Sequence, residues 1–248
     1  MAGTAADLVR ALSASVRMPF STVEAYALTL SRIGWWERTK RGRGARKKTD
    51  RDAAKLLLAI LSAGPTDLPN FFLQYANMHV APGQKHSKLV AILRREMELA
   101  EDAKFFDFAA AFVRLYRLGE TGRVIWHSPM PEGFYGEGAA DVPGLEMRVK
   151  GPVPMGTFTF TLAHSVVDEL TADGDDQADY LGPQKIEFVH EFLGMMADAK
   201  ADGRSTEQMA FGNAYQAVMS EASGVGFERF VGGSEFAAVA AAMSEAGE

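Results

Sequence analysis

Ser21 to Arg51 reads STVEAYALTLSRIGWWERTKRGRGARKKTDR, and the fold turns on this stretch. Ser21 with Glu24 three residues on forms an S-x-x-E capping box that opens a helix. Along it Val23, Ala27, Leu30 and Gly34 fall on one face, with Tyr26 and Ile33 at its edge. Ala25, Leu28, Thr29 and Arg32 lie opposite. Such a helix buries one stripe and offers small, hydrogen-bonding and basic side chains on the other, as insertion into a major groove requires. Gly34 stops the helix, and Trp35-Trp36-Glu37 has the composition of a strand. From Arg38 to Arg51 there are eight basic residues and one acid, Asp50. Gly42 and Gly44 let that segment turn as a hairpin tip, whose cations can reach phosphates or the minor groove.

Upstream, residues 4–16 form a helix, with Thr4 as N-cap, Asp7 at the box position, and Leu8, Val9, Leu12 and Val16 at helical spacing. Pro19 ends the turn that follows. Downstream, Thr49 caps a third helix with Asp52 in the box position. Ala53, Leu56, Leu57, Ile60 and Leu61 form its buried side. Gly64-Pro65-Thr66-Asp67-Leu68-Pro69 is the natural place for a domain boundary.

Helix, turn, helix, short strand, basic tip, helix: over residues 4–63 this order resembles the winged helix–turn–helix transcription regulators. The multiple-antibiotic-resistance and arsenic-responsive repressor types are the nearest subgroups. Ser21-Thr22-Val23, Leu30, Ile33-Gly34, Trp35-Trp36 and Arg41-Gly42-Arg43-Gly44 carry the likeness. Thr49 to Ala59 also matches the pattern T-x-x-D-A-A-x-L-L-x-A of uncharacterised alphaproteobacterial and prophage proteins. The resemblance implies a bacterial or prophage DNA-binding regulator associated with the nucleoid; the absence of cysteine and of a signal-peptide apolar start points to a cytoplasmic protein. Its recognition helix 21–34 would sit in the major groove, with Thr22, Ala25, Tyr26, Thr29 and Arg32 nearest the bases. Arg38, Lys40, Arg41, Arg43, Arg46, Lys47 and Lys48 would form the wing on phosphates. The partner is then double-stranded DNA. Reading a palindrome asks for a homo-oligomer, a dimer first of all. A phage or mobile-element DNA-packaging or structural protein is the alternative, and a ligand sensor a third reading.

The remaining chain gives the fold class: mainly α with a small antiparallel β-sheet. A winged helix–turn–helix-like module (residues 1–64) precedes an α+β domain (65–248) that dimerises or senses a ligand. Asn70 to Val80 reads as a short helix. His86 to Gly119 reads as the longest helical region, split or kinked near Asp102-Ala103-Lys104, with an aromatic stripe suited to core or dimer interface. Arg123–His127, Leu145–Lys150 and Thr157–Leu162 alternate as strands. Phe158, Phe160 and Leu162 face the long helix, and Ser128 to Gly144 is Pro/Gly-rich loop. Helices resume over 183–201, 206–223 and 235–246.

Composition narrows the function. An apolar fraction of 47% with 23% charged residues excludes wholesale disorder. There is no cysteine, hence no disulfide, thiol nucleophile or cysteine-ligated zinc. No apolar run approaches the roughly 18 residues of a membrane span, so no membrane partner is expected. Residues 1–64 hold 12 Lys+Arg against 5 Asp+Glu, and the other 184 hold 14 against 27. A basic quarter on an acidic body points to a polyanion at one end. His79, His86, His127, His164 and His190 lack metal spacing. Asp173 to Asp179 is a solvated acidic turn with Gln184 where a calcium loop needs Glu, and no G-x-S-x-G occurs. No enzyme, cofactor or metal is expected.

Overall fold

A computed structural model of the chain describes residues 4–37, 47–126, 144–151, 154–221 and 227–244. In chain order the elements are α1 (Ala5–Ser15), α2 (Phe20–Arg32), α3 (Asp50–Ser62), α4 (Leu68–Ala76), β1 (His79–Val80), α5 (Lys88–Glu96) and α6 (Phe105–Leu118). There follow β2 (Leu145–Gly151), β3 (Met155–Phe160), α7 (His164–Thr171), β4 (Gln184–Val189), α8 (Glu191–Ala201), α9 (Ser205–Glu221), β5 (Phe227–Gly232) and α10 (Gly233–Ser244). The protein is mainly helical with one antiparallel sheet, strand order β1-β4-β3-β2-β5.

The local signals at two helix starts act as read. Thr4 with Asp7 and Thr49 with Asp52 each form a reciprocal capping box. The Ser21–Glu24 box does not form: α2 starts at Phe20 behind Pro19, without a side-chain cap. Ser21 already lies inside the first turn, and the Val23 N–H two residues on is already bonded to Pro19 O at 3.2 Å.

The sheet is larger than the two or three strands expected. Residues 184–189, at the start of the helix expected over 183–201, form β4. Ile186 and Phe188 go inward at the two-residue period of a strand. β4 runs through His190 directly into α8, so Ile186, Val189, Phe192, Leu193 and Met196 imitate one helical stripe. β5 was not anticipated, and β1 arises from the tail of a supposed helix. Of Arg123–His127, Thr121–Arg123 is a 3-10 turn and Ile125 makes a single bridge to Leu162. His127 and most of the 128–144 loop lie outside the described residues.

The helical region 86–119 is two helices, parted at Glu98, whose φ of 51° breaks the repeat. The aromatic face of α6 is spent inside the protomer rather than on a dimer interface. Phe105 meets Phe158 at 4.8 Å and Phe188 at 5.0 Å; Phe108 meets Phe188 at 5.2 Å, and Phe112 meets Phe158 at 5.1 Å. Gly156 permits this approach. A Cβ there would sit 2.6 Å from Met78 Cε and 2.8 Å from the Phe105 ring.

Helix α3 is the hub. Every residue from Leu56 to Ser62 is buried, and it packs on α2, α4, α6, β2 and β5. Its last carbonyls, orphaned by helix geometry, are satisfied from outside the helix. Arg229 on β5 donates to Ile60 O (3.1 Å) and Ala63 O (3.0 Å), and Tyr26 donates its hydroxyl to Ala63 O (2.9 Å). At the far end of the chain, α10 covers α1 and α6, with Phe236 against Phe112 and Tyr116. One apolar cluster thus runs from Leu8 to Met243. Gly64–Pro69 is a turn into α4, closed by Leu68 N–H on Gly64 O, and shared core packing crosses the expected 64/65 division.

Candidate nucleic-acid interface

Helix α2 buries Val23, Tyr26, Ala27 and Leu30, the i, i+3, i+4, i+7 stripe. Tyr26 therefore leaves the base-facing set in which the sequence put it. Its ring sits in the core, and burial raises its hydroxyl pKa against the opposing influence of Arg229. Arg32 is exposed, while Thr22, Ala25 and Thr29 are half-exposed. Two residues absent from the sequence-derived set join them on the solvent side: Glu24, and Leu28 at 51% exposure. The helical wheel already placed Leu28 there, and Glu24 follows from Leu28 by one turn.

The stretch after α2 is not a strand. Gly34 takes φ +78°, and the N–H groups of Trp35 and Trp36 both donate to Leu30 O, at 2.9 and 3.1 Å. The tryptophans fold back over the helix end, because those two donors close a left-handed C-cap instead of a ladder. Trp35 then packs edge-on against Phe72 at 4.9 Å, and its carbonyl accepts from Lys55 at 2.8 Å. Trp36 is buried, with Nε1 donating to Asp52 O at 3.1 Å.

Lys48 closes this assembly. Its ammonium lies 4.3 Å from the centre of the Trp36 ring and donates to Glu37 O at 3.4 Å. Only 5% of Lys48 is exposed, so it is a clasp and not one of the phosphate-facing cations expected. A cation held on a desolvated indole contributes about 2 kcal/mol. The chain thus leaves at Glu37 and returns at Lys48 to the same point. Lys47 is exposed beside it. Arg38, Lys40, Arg41, Arg43 and Arg46 lie outside the described residues. By sequence, 38–46 carries those five cations and no acid.

Neighbouring charges are committed elsewhere. Arg51 pairs with Asp107 at 3.0 Å and lies over Phe106, and Arg117 grips Asp50 through two bonds of 2.7 and 2.9 Å. These bridges lock the start of α3 to α6.

His79 on β1 is half-buried, with Lys104 Nζ 3.1 and 3.3 Å from its ring nitrogens. Burial and then the Lys104 charge push it down to about 4. His190 is buried, accepts the Phe192 N–H at 3.2 Å to cap α8, and is lowered by burial. His164 stands edge-on to Trp126 at 5.5 Å. Asp173 is paired with Lys88 at 2.6 Å, and Asp176 caps its own turn through Ala178 N–H. Among the described residues no group of His, Asp and Glu is arranged to hold a metal, and no helix is long and apolar enough to cross a membrane. A groove of about 470 Å³ between α1 and α10 is lined by alanines with Asp7 and Arg10, which bind each other at 3.3 Å.

No family model matches this chain, nor does any curated protein or solved structure.

Proposed function

We propose that the chain is a double-stranded-DNA-binding regulator, presenting the 38–47 segment to phosphates and the open face of α2 to the major groove. The observation that carries this reading is the clasp. Trp36 and Lys48 bring together the two ends of a segment with five cations and no acid, directly after the turn of α2 that bears Arg32. With Glu37 and Lys48 held together, the positive charge carried between them belongs to this corner of the molecule and can draw a polyanion there. The acidic remainder of the chain disfavours non-specific contact elsewhere.

The clasp also sets a number. Of the eight cations between 38 and 51, Lys48 is buried and Arg51 is paired. If about half of the remaining six touch phosphates, log K falls with log salt at a slope of roughly −3 per module. Replacing Arg41, Arg43 and Arg46 together by Ala is expected to weaken binding alike for all sequences and to flatten that slope. Unchanged retention on DNA and heparin would remove the assignment. Thr29→Ala or Arg32→Ala is expected to change sequence preference instead, read by selection from a random duplex pool. Glu24 stands on the same face, so Glu24→Gln should strengthen binding to every duplex through lost phosphate repulsion.

A further inference from the structure

The two edges of the sheet are finished differently. Beyond β4, Ala81 N–H donates to Glu187 O at 2.7 Å, while Gln84 accepts from Glu187 N–H at 2.7 Å and donates to Lys185 O at 2.9 Å. The chain after β1 plugs that side. These bonds also fix the phase of the whole ladder, because antiparallel residues point both backbone groups to the same neighbour. Glu187 points away from β3, so Ile186 and Phe188 point towards it. Through the registers Phe158↔Ile186, Arg148↔Thr157 and Val149↔Arg229, the residues of β5 that bond β2 are Arg229 and Val231. Glu228, Phe230 and Gly232 then turn their N–H and C=O groups outward. Gly232 agrees: its N–H is taken by Glu235 Oε2 at 2.8 Å. Among the described residues nothing pairs with the outward backbone groups of Glu228 and Phe230.

Phe230 is anomalous as well. Its side chain is 62% exposed, with the Arg148 guanidinium 5.3 Å from the ring centre, and Arg148 is held by Glu228 at 2.6 Å. An edge strand with open backbone groups, no proline and a large exposed aromatic is a template for another strand. β5 also complements itself. Setting Phe230 opposite its own copy across a two-fold axis stacks the two exposed rings as a cross-strand pair. It also places Arg229 opposite Val231. A step of the register one way sets Arg229 against Arg229, two like charges on one face; a step the other way sets Phe230 against Gly232, whose N–H Glu235 already holds. With Phe230 opposite its own copy, it exchanges two hydrogen bonds with its counterpart, and Glu228 N–H reaches the second copy's Gly232 carbonyl.

We propose that two copies of this chain associate by antiparallel pairing of β5 with β5, joining their sheets edge to edge with Phe230 on the two-fold axis. The inference stands apart from the DNA reading. A dimer that ignores DNA overturns only that reading, and a DNA-binding monomer overturns only this one.

The full chain is tested by light scattering over a dilution series, with three variants. Phe230→Pro removes an outward N–H while sparing the bonds to β2, and the dimer is expected to weaken about tenfold or more. Phe230→Cys introduces the only cysteine. Opposed Cα atoms in a hydrogen-bonded pair stand about 5.5 Å apart, within disulfide reach, so mild oxidation is expected to yield covalent dimer. Lys185→Cys, exposed on β4, is expected to stay uncrosslinked. A monomer at all concentrations overturns the proposal, as does equal crosslinking of the two cysteine variants. A dimer that Phe230→Pro leaves untouched, in a folded variant by circular dichroism, overturns it too. Should that variant not fold, the cysteine pair decides alone.

Discussion

Tyr26 and Lys48 show why side-chain chemistry alone misleads at this surface. Both suit DNA contact by type, and both are drawn inward by partners distant in sequence: the Ala63 carbonyl for one, the Trp36 ring for the other. Neither partner is signalled by spacing. Tyr26→Phe should cost about 1 kcal/mol, one net hydrogen bond. Arg229→Met, which strips two carbonyls of their charged donor, should cost about 1–3 kcal/mol; urea midpoints read both. His79 supplies a pH test. It is held neutral down to about 4 in the fold, against 6.5 when unconstrained. The unfolded chain therefore binds the extra proton between those values. This contribution to stability is complete above about pH 6.5 and is lost as pH falls towards 4. His190, also lowered, adds in the same direction. The urea midpoint is expected to drop between pH 7 and pH 5, and less so in His79→Gln. Identical pH profiles for parent and variant would exclude the assignment.

Among the elements, α1 and α3 were legible because their signals are local: a cap, a box and a run of apolar residues at helical spacing. The inward Phe face of β3 was legible for the same reason. β4 was not, since its two-residue period passes without a break into α8 and the sum imitates a helix. β5 was hidden by Arg229, a charged residue at an inward position where an apolar one is expected. Its reason lies in the α3 carbonyls, far away in sequence. The α6–sheet interface should be the least tolerant part of the fold. Phe108→Ala, which empties a fully buried site, should cost about 3–5 kcal/mol. Gly156→Ala should cost about 1–3 kcal/mol by overpacking against Met78 and Phe105. Thermal melts followed by near-UV circular dichroism distinguish both from a surface change such as Leu73→Ala.

For the molecule as a whole, the charge asymmetry was plain in the sequence, whereas the sharing of one core was not. Composition shifts at Gly64–Pro69, but the apolar side of α3 finds its cover on α6, β2 and β5, beyond that turn. The full chain should therefore unfold in one cooperative transition, and a fragment of residues 1–64 should lack a sigmoidal melt. An independent melt of that fragment would show that the module stands alone. Ala63 has a wider consequence. Its single carbonyl oxygen receives both Tyr26 of α2 and Arg229 of β5, which makes a stiff brace between α2 and the open strand. Should two chains join along that strand, their α2 helices are carried at a set span, like the points of a caliper. A target site would then be gauged by length. Widening the gap between its halves by about five base pairs, half a turn of the duplex, would rotate one half out of reach.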